Sequence, residues 1–200
     1  MTIYRDGCRD GVLVKETPVS ISKCPKRPEI LPAKLVRFKN GNENWIAFVG
    51  FLDDKPYEIF TGINDINEFP IPTNINEGQI IKVKDEFGKR YDFSYTDKYG
   101  YTVRLGGLSR IFNQEFWNYA KLISALLRGG IELDKVVKII DGMHFDSQTL
   151  NTWKAGVIRT IKQFIKDGTI SGATCPECKS NLVYTGGCTS CPSCGYSKCG

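Results

Sequence analysis

Lys34-Leu-Val-Arg-Phe-Lys39, Asn40-Gly41-Asn42 and Asn44-Trp-Ile-Ala-Phe-Val-Gly-Phe-Leu52 decide the fold class. The apolar pattern here runs at a period near two, and aromatic and β-branched residues dominate the second run. The Asn-Gly pair between them suits the positive φ of a tight hairpin, so the stretch predicts two antiparallel strands. Downstream, Asp53-Asp54-Lys55 turns the chain into Pro56-Tyr-Glu-Ile-Phe-Thr61, which completes a three-stranded meander. A loop from Gly62 to Gly78 carries Pro70, Pro72 and several Asn. A second meander follows: Gln79–Asp85, a turn at Glu86–Lys89, Arg90–Tyr95 and Tyr101–Leu105. Tyr91, Phe93 and Tyr95 alternate with polar residues and give one apolar face. Interleaved with Lys and Arg they suit a base-stacking platform. The reading preferred here is the core face of a half-buried sheet.

After Gly106-Gly107 the period becomes helical. Phe112, Phe116, Tyr119, Ala120, Ile123, Leu126 and Leu127 predict one helix that Gly129-Gly130 ends. Leu133 to Ile140 predicts a second, stopped at Gly142. A third is expected with Asp146 or Ser147 as its cap, carrying Leu150, Trp153, Val157, Ile158, Ile161, Phe164 and Ile165 inward, with Gly168 after its end. An antiparallel sheet followed by amphipathic helices predicts an α+β fold, the helices covering the sheet's apolar face. His144, between two helices, is expected to pack or cap.

Upstream, Met1–Val14 reads as a short strand, a turn and another short strand. Pro18, Pro25, Pro28 and Pro32, with Lys23, Lys26 and Arg27, predict an extended, solvated linker. Cys24 is expected to be an ordinary thiol. The expected division is therefore 1–33 for strand, turn and linker, 34–168 for the α+β domain and 169–200 for a cysteine-rich tail, with Thr169–Thr174 as a polar hinge. The 200-residue chain has the apolar and charged content of a water-soluble protein, 41% and 24%. No apolar run approaches membrane-spanning length and no secretory signal is evident, so cytoplasm is the expected location and no membrane partner is expected. A net charge of +5 permits an anionic partner without demanding one. A single His excludes a His-Glu-x-x-His metal site.

Six of the eight cysteines crowd the tail: Cys175-Pro-Glu-Cys178, Cys188, Cys191-Pro-Ser-Cys194-Gly and Cys199. Two Cys-Pro-x-Cys turns across a short Leu182-Val-Tyr184 strand supply four thiolates, the closed tetrahedral shell of a structural zinc. The expected ligands are Cys175, Cys178, Cys191 and Cys194 of a zinc ribbon, in preference to a disulfide-stapled tail. Cys188 and Cys199 are then left over. Lys198 beside Cys199 favours the thiolate, so one reading is a dithiol that carries reducing equivalents. The other is that one of the two is a further ligand or a small buried residue.

Tyr4-Arg-Asp-Gly-Cys-Arg9, the Pro-rich linker with Lys26-Arg-Pro-Glu29, Lys55-Pro-Tyr-Glu-Ile-Phe60, Phe116-Trp-Asn-Tyr-Ala-Lys-Leu-Ile123 and the terminal ribbon form an ordered set. Together they resemble the C-terminal third of adenosylcobalamin-dependent (class II) ribonucleotide reductases, Bacteroidetes type, over essentially the whole chain. The resemblance implies a C-terminal module of a vitamin B12-dependent ribonucleoside-diphosphate reductase. Its terminal cysteines would re-reduce the active-site disulfide formed as a ribonucleotide becomes a deoxyribonucleotide; the resemblance does not name the pair, and Cys188 and Cys199 are expected for it because the metal knuckles leave them over. It also implies two partners, a catalytic barrel subunit and a thioredoxin-like reductant. Adenosylcobalamin would belong to the barrel, whose residues lie upstream of the matched segment, so the chain is expected to be inactive alone. The alternative is a stand-alone zinc-ribbon module that binds nucleic acid or protein.

Overall fold

The computed structural model describes residues 24–65, 67, 69–145 and 151–199. The expected strands within Met1–Val14, the Asp146 or Ser147 cap and Leu150 lie outside the described residues. The body is an antiparallel sheet of β1 (Ile30–Asn40), β2 (Glu43–Leu52), β3 (Lys55–Ile63), β4 (Glu77–Asp85), β5 (Gly88–Thr96) and β6 (Thr102–Leu105). The two predicted meanders are one sheet, in the order β3-β2-β1-β4-β5-β6, because β1 pairs with both β2 and β4. β1 begins at Ile30, before the expected end of the linker. Pro32 is tolerated there because it precedes the β2 ladder, which starts at Ala33 and leaves one side of the strand unpaired.

The sheet is strongly curled. Flat strands about 4.8 Å apart would put β3 and β5, four ladder steps from one another, about 19 Å apart. Yet Phe60 of β3 lies 4.9 Å from Tyr91 of β5, and Phe48 of β2 lies 5.0 Å from Phe93 of β5, between ring centroids. β2 therefore buries both faces. Ile46 and Phe48 point into the curl with Leu35, Phe60, Ile80 and Phe93, while Trp45, Ala47 and Val49 point to the helical side. Tyr91, Phe93 and Tyr95 belong to the inner core or pack against it, so they are not a base-stacking platform.

Among the described residues four helices follow: α1 (Leu108–Ile111), α2 (Gln114–Arg128), α3 (Leu133–Asp141) and α4 (Trp153–Lys162). The single turn α1 was not expected; four residues are too few to show a helical period. α2 starts later than Phe112, after Asn113, whose side chain accepts the Glu115 amide at 2.9 Å. That leaves Phe112 free to enter the inner core. α2 also covers the sheet's free edge. The buried Ser124 hydroxyl accepts the Ile59 amide of β3 at 2.9 Å and donates to the Ile59 carbonyl at 3.1 Å. Two turns earlier, Trp117 stacks on Phe60 at 4.6 Å and plugs the curl. α4 is capped by Thr152, whose hydroxyl accepts the Ala155 amide. The helix stops at Lys162, and Phe164 and Ile165 reach the outer core from the turn beyond. His144 is exposed, so it does not pack as expected. No helix among the described residues is long and apolar enough to cross a membrane.

The tail forms a second antiparallel sheet of β7 (Ile170–Thr174), β8 (Asn181–Thr185), β9 (Cys188–Ser190) and β10 (Ser197–Lys198), in the order β10-β9-β8-β7. The expected hinge at Thr169–Thr174 is thus a strand. Its start is tied down: the Gly168 amide donates to the Tyr184 carbonyl at 2.9 Å and the Tyr184 amide to the Thr169 carbonyl at 2.8 Å. Tyr184 itself is buried in the outer core with α3 and α4.

Candidate metal centre

The two Cys-Pro-x-Cys stretches fold identically. In the first, the Cys175 amide donates to the Ser180 carbonyl at 2.8 Å and the Lys179 amide to the Cys175 carbonyl at 3.0 Å. In the second, the Cys191 amide donates to the Tyr196 carbonyl at 2.7 Å and the Gly195 amide to the Cys191 carbonyl at 3.0 Å. Each turn needs a left-handed residue just after its second cysteine. Gly195 takes that conformation at φ 79° without cost, and Lys179 takes it at φ 64°. β8 and β9, running between the turns, bring them face to face.

The four sulfurs of Cys175, Cys178, Cys191 and Cys194 lie within 4.8 Å of one another. Cys175 and Cys194 approach to 3.6 Å and Cys178 and Cys191 to 3.4 Å. A tetrahedral ion with metal–sulfur bonds near 2.3 Å separates its sulfurs by about 3.8 Å, so the set fits such an ion with little adjustment. Cys175 and Cys191 are buried beside Leu182 and Tyr196, while Cys178 and Cys194 face outward. The thiols also show the crowding that a cation would relieve. The Ser180 hydroxyl and amide beside Cys178 bring its pKa down to about 6. The Tyr196 amide pulls Cys194 the same way, but desolvation and the sulfurs of Cys175, Cys191 and Cys178 outweigh it and push that thiol up to about 12. Four such sulfurs ionise together only around a positive centre. They form a set able to bind a metal ion.

Cys188 and Cys199 are joined in a disulfide. β9 and β10 pair Thr189 with Lys198, which places the two cysteines opposite one another at a Cα separation of 4.4 Å. The tail's six cysteines thus divide into four clustered thiols and one bridge, and Cys24 is a free, exposed thiol.

A second polar cluster gave no signal in the sequence. Glu58 of β3 points into the curl and is fully buried, clasped by the Arg27 guanidinium at 2.8 and 2.6 Å and touched by Arg128 of α2 at 3.2 Å. Arg27 comes from the expected solvated linker, which instead crosses the sheet: the Tyr57 hydroxyl donates to the Pro25 carbonyl at 2.8 Å. Gly50, opposite Glu58 on β2, makes room for the carboxylate. A Cβ there would stand 2.9 Å from the Glu58 Cγ. An alternating strand pattern assigns Glu58 a side of the sheet but does not show that both sides are buried.

Among known proteins, the chain matches no curated protein and no solved structure. Its residues 31–166, from β1 to the turn after α4, match a family described as the NrdJ homologue C-terminal domain, and the cysteine ribbon lies beyond the matched stretch. With well over half of its length inside that match, the chain belongs to the NrdJ homologue C-terminal domain family.

Proposed function

We propose that this chain is the C-terminal module of a class II ribonucleotide reductase, in which Cys188 and Cys199 return electrons to the active-site disulfide of a catalytic barrel subunit. Cys175, Cys178, Cys191 and Cys194 hold a zinc ion that fixes the ribbon. The supporting observation is the division of the tail's cysteines into a four-sulfur cluster and a separate bridged pair. Family membership supports the reductase context.

The reaction is thiol–disulfide exchange. In the reduced pair, one thiolate attacks a sulfur of the partner's disulfide, whose S–S bond breaks as a mixed disulfide forms. The second thiol of the pair gives up its proton and displaces the partner's sulfur. Two electrons and two protons have then passed to the partner, and the Cys188–Cys199 bond has formed. A thioredoxin-like dithiol protein reverses the step and is itself oxidised. Lys198, next to Cys199, favours the attacking thiolate. Zinc, when bound, supplies only structure: it keeps its four sulfurs out of exchange and holds β9 and β10 together. The radical chemistry and adenosylcobalamin belong to the barrel subunit, and no residue of this chain is assigned to them.

The test uses the reduced, zinc-loaded chain in a Cys8→Ser, Cys24→Ser background. A mild oxidant should consume two thiols per chain with all zinc retained, and a thioredoxin system should restore both. Cys199→Ser should abolish the cycle at unchanged zinc content. Release of zinc in step with the first oxidation overturns the assignment.

A further inference from the structure

A trough of about 690 Å³ runs between the ribbon and the helical side of the body. Its floor is apolar, with Ile158 of α4, Leu182 and Tyr184 among its lining residues. Lys138, Lys154, Lys162 and Lys198 line it against a single carboxylate, Asp141. Two of these lysines are engaged. The Lys154 amine donates to the carbonyls of Asp141 and Met143, at 2.9 and 3.2 Å, and Lys138 faces Asp134 at 3.7 Å. The amines of Lys162, at the end of α4, and Lys198, in β10, have no hydrogen bond or ion pair among the described residues.

Lys162 has the features of an amine nucleophile. Burial is the main cause that draws it below the usual lysine range; Lys198 adds to that shift, and Asp141 opposes it. A desolvated lysine beside a second cation carries more of its neutral amine near pH 7, and the neutral amine is the form that attacks a carbonyl carbon. The side chain is half-buried and still lines the open trough, so a small electrophile can reach it. The other walls suit one kind of electrophile. Lys198 and Lys138 present positive charge to a phosphate, while Ile158 and Leu182 give a short acyl chain an apolar surface. Lys138 lies close over β7: a Cβ on Gly172 would stand 2.7 Å from its Nζ. Glycine there lets a cation from α3 reach the ribbon wall.

We propose that Lys162 is an acylation site, modified in the trough by acyl phosphates whose phosphate group is held by Lys198. The Lys162 nitrogen attacks the acyl carbon and a C–N bond forms. The bond from that carbon to the phosphate oxygen breaks, and phosphate leaves with its electron pair. The surplus proton on nitrogen passes to the departing phosphate or to water. The product is an uncharged amide, so the trough loses one of its two unpaired cations. No electrons are exchanged with the Cys188–Cys199 bridge, and the inference is independent of the redox role given above.

Acetyl phosphate is the probe, and acetic anhydride, which carries no phosphate, is the reference. The full, zinc-loaded chain is treated with each to low conversion, and acetylation at every lysine is read by mass spectrometry. Dividing the acetyl phosphate rate by the anhydride rate at the same lysine removes differences in free amine and access. This quotient should be about tenfold higher at Lys162 than at Lys84 and Lys89, exposed lysines of the β4–β5 hairpin. Millimolar inorganic phosphate should lower it severalfold at Lys162 and leave it unchanged at Lys84. Lys198→Gln should lower it severalfold at an unchanged melting temperature, and Lys198→Arg, which keeps the charge, should preserve it. A quotient at Lys162 equal to that at Lys84 overturns the proposal. So does a raised quotient that added phosphate does not lower, or one that Lys198→Gln and Lys198→Arg change alike.

Discussion

Glu58 accepts both prongs of the Arg27 guanidinium from a position with no solvent exposure, and Arg128 adds a second cation from the edge of the site. A carboxylate taken out of water costs several kcal/mol unless it is paired and hydrogen-bonded, so the linker arginine is part of the body's core. Arg27→Ala leaves the carboxylate with Arg128 alone. The expected loss is about 3–5 kcal/mol, the usual cost of stripping one partner from a buried pair. It is read as a lower urea midpoint at unchanged slope. Arg27→Ala combined with Glu58→Leu should recover part of the loss, since the charge and its partner then leave together. A single variant within about 0.5 kcal/mol of the parent would mean that water or Arg128 already satisfies Glu58. The Lys23–Arg27 cluster reads as solvated because basic residues among prolines usually are. Only the curl of the sheet, a long-range property, brings residue 27 over residue 58.

At the scale of elements, the strands were legible because each carries its own period and turn chemistry. The Asn40-Gly41 hairpin is one example, and it takes a second role that its sequence does not announce. The Asn40 side chain accepts the Trp153 amide at 2.9 Å, and the Gly41 amide donates to the Asn151 carbonyl at 2.7 Å, pinning the start of α4 to the sheet. The cysteine turns were legible for the same local reason: a six-residue knuckle encodes its own bonds. What was not legible is how the ribbon sits. Val183 and Tyr184 alternate in a short strand, and nothing local says that Tyr184 enters the core of another sheet. Because it does, and because Gly168 and Thr169 bond to its backbone, the ribbon is expected to stabilise the body. Tyr184→Ala should cost about 3 kcal/mol, near the lower end for deleting a buried aromatic. The variant should keep its bound metal, since Tyr184 lies outside the four-sulfur cluster. A melting curve superimposable on the parent's would show that the ribbon is merely tethered.

At the scale of the molecule, one sheet curls around an inner core, helices build an outer core on its other side, and the ribbon closes the outer core through Tyr184. The ribbon meets the body through Tyr184, so the folding of the ribbon and the stability of the body are linked. The ribbon's own apolar cluster is minimal, with Leu182 and Tyr196 against Cys175 and Cys191. So few residues offset little of the entropy of ordering four short strands; the Cys188–Cys199 bridge and Tyr184 contribute, and the zinc proposed above would supply much of the rest. Chelation should therefore release one zinc per chain and melt the ribbon. Two readouts should then move together. A chromogenic chelator reports the ion. The body still unfolds cooperatively, since its sheet and α2 to α4 keep their own contacts, but its midpoint falls by on the order of 10 °C, as expected for losing an aromatic worth about 3 kcal/mol from a domain of this size. Zinc added back should restore both. An unshifted midpoint after complete zinc release would separate the ribbon from the outer core. Loss of all cooperative unfolding would make the ribbon part of the nucleus of the fold rather than a wall added to it.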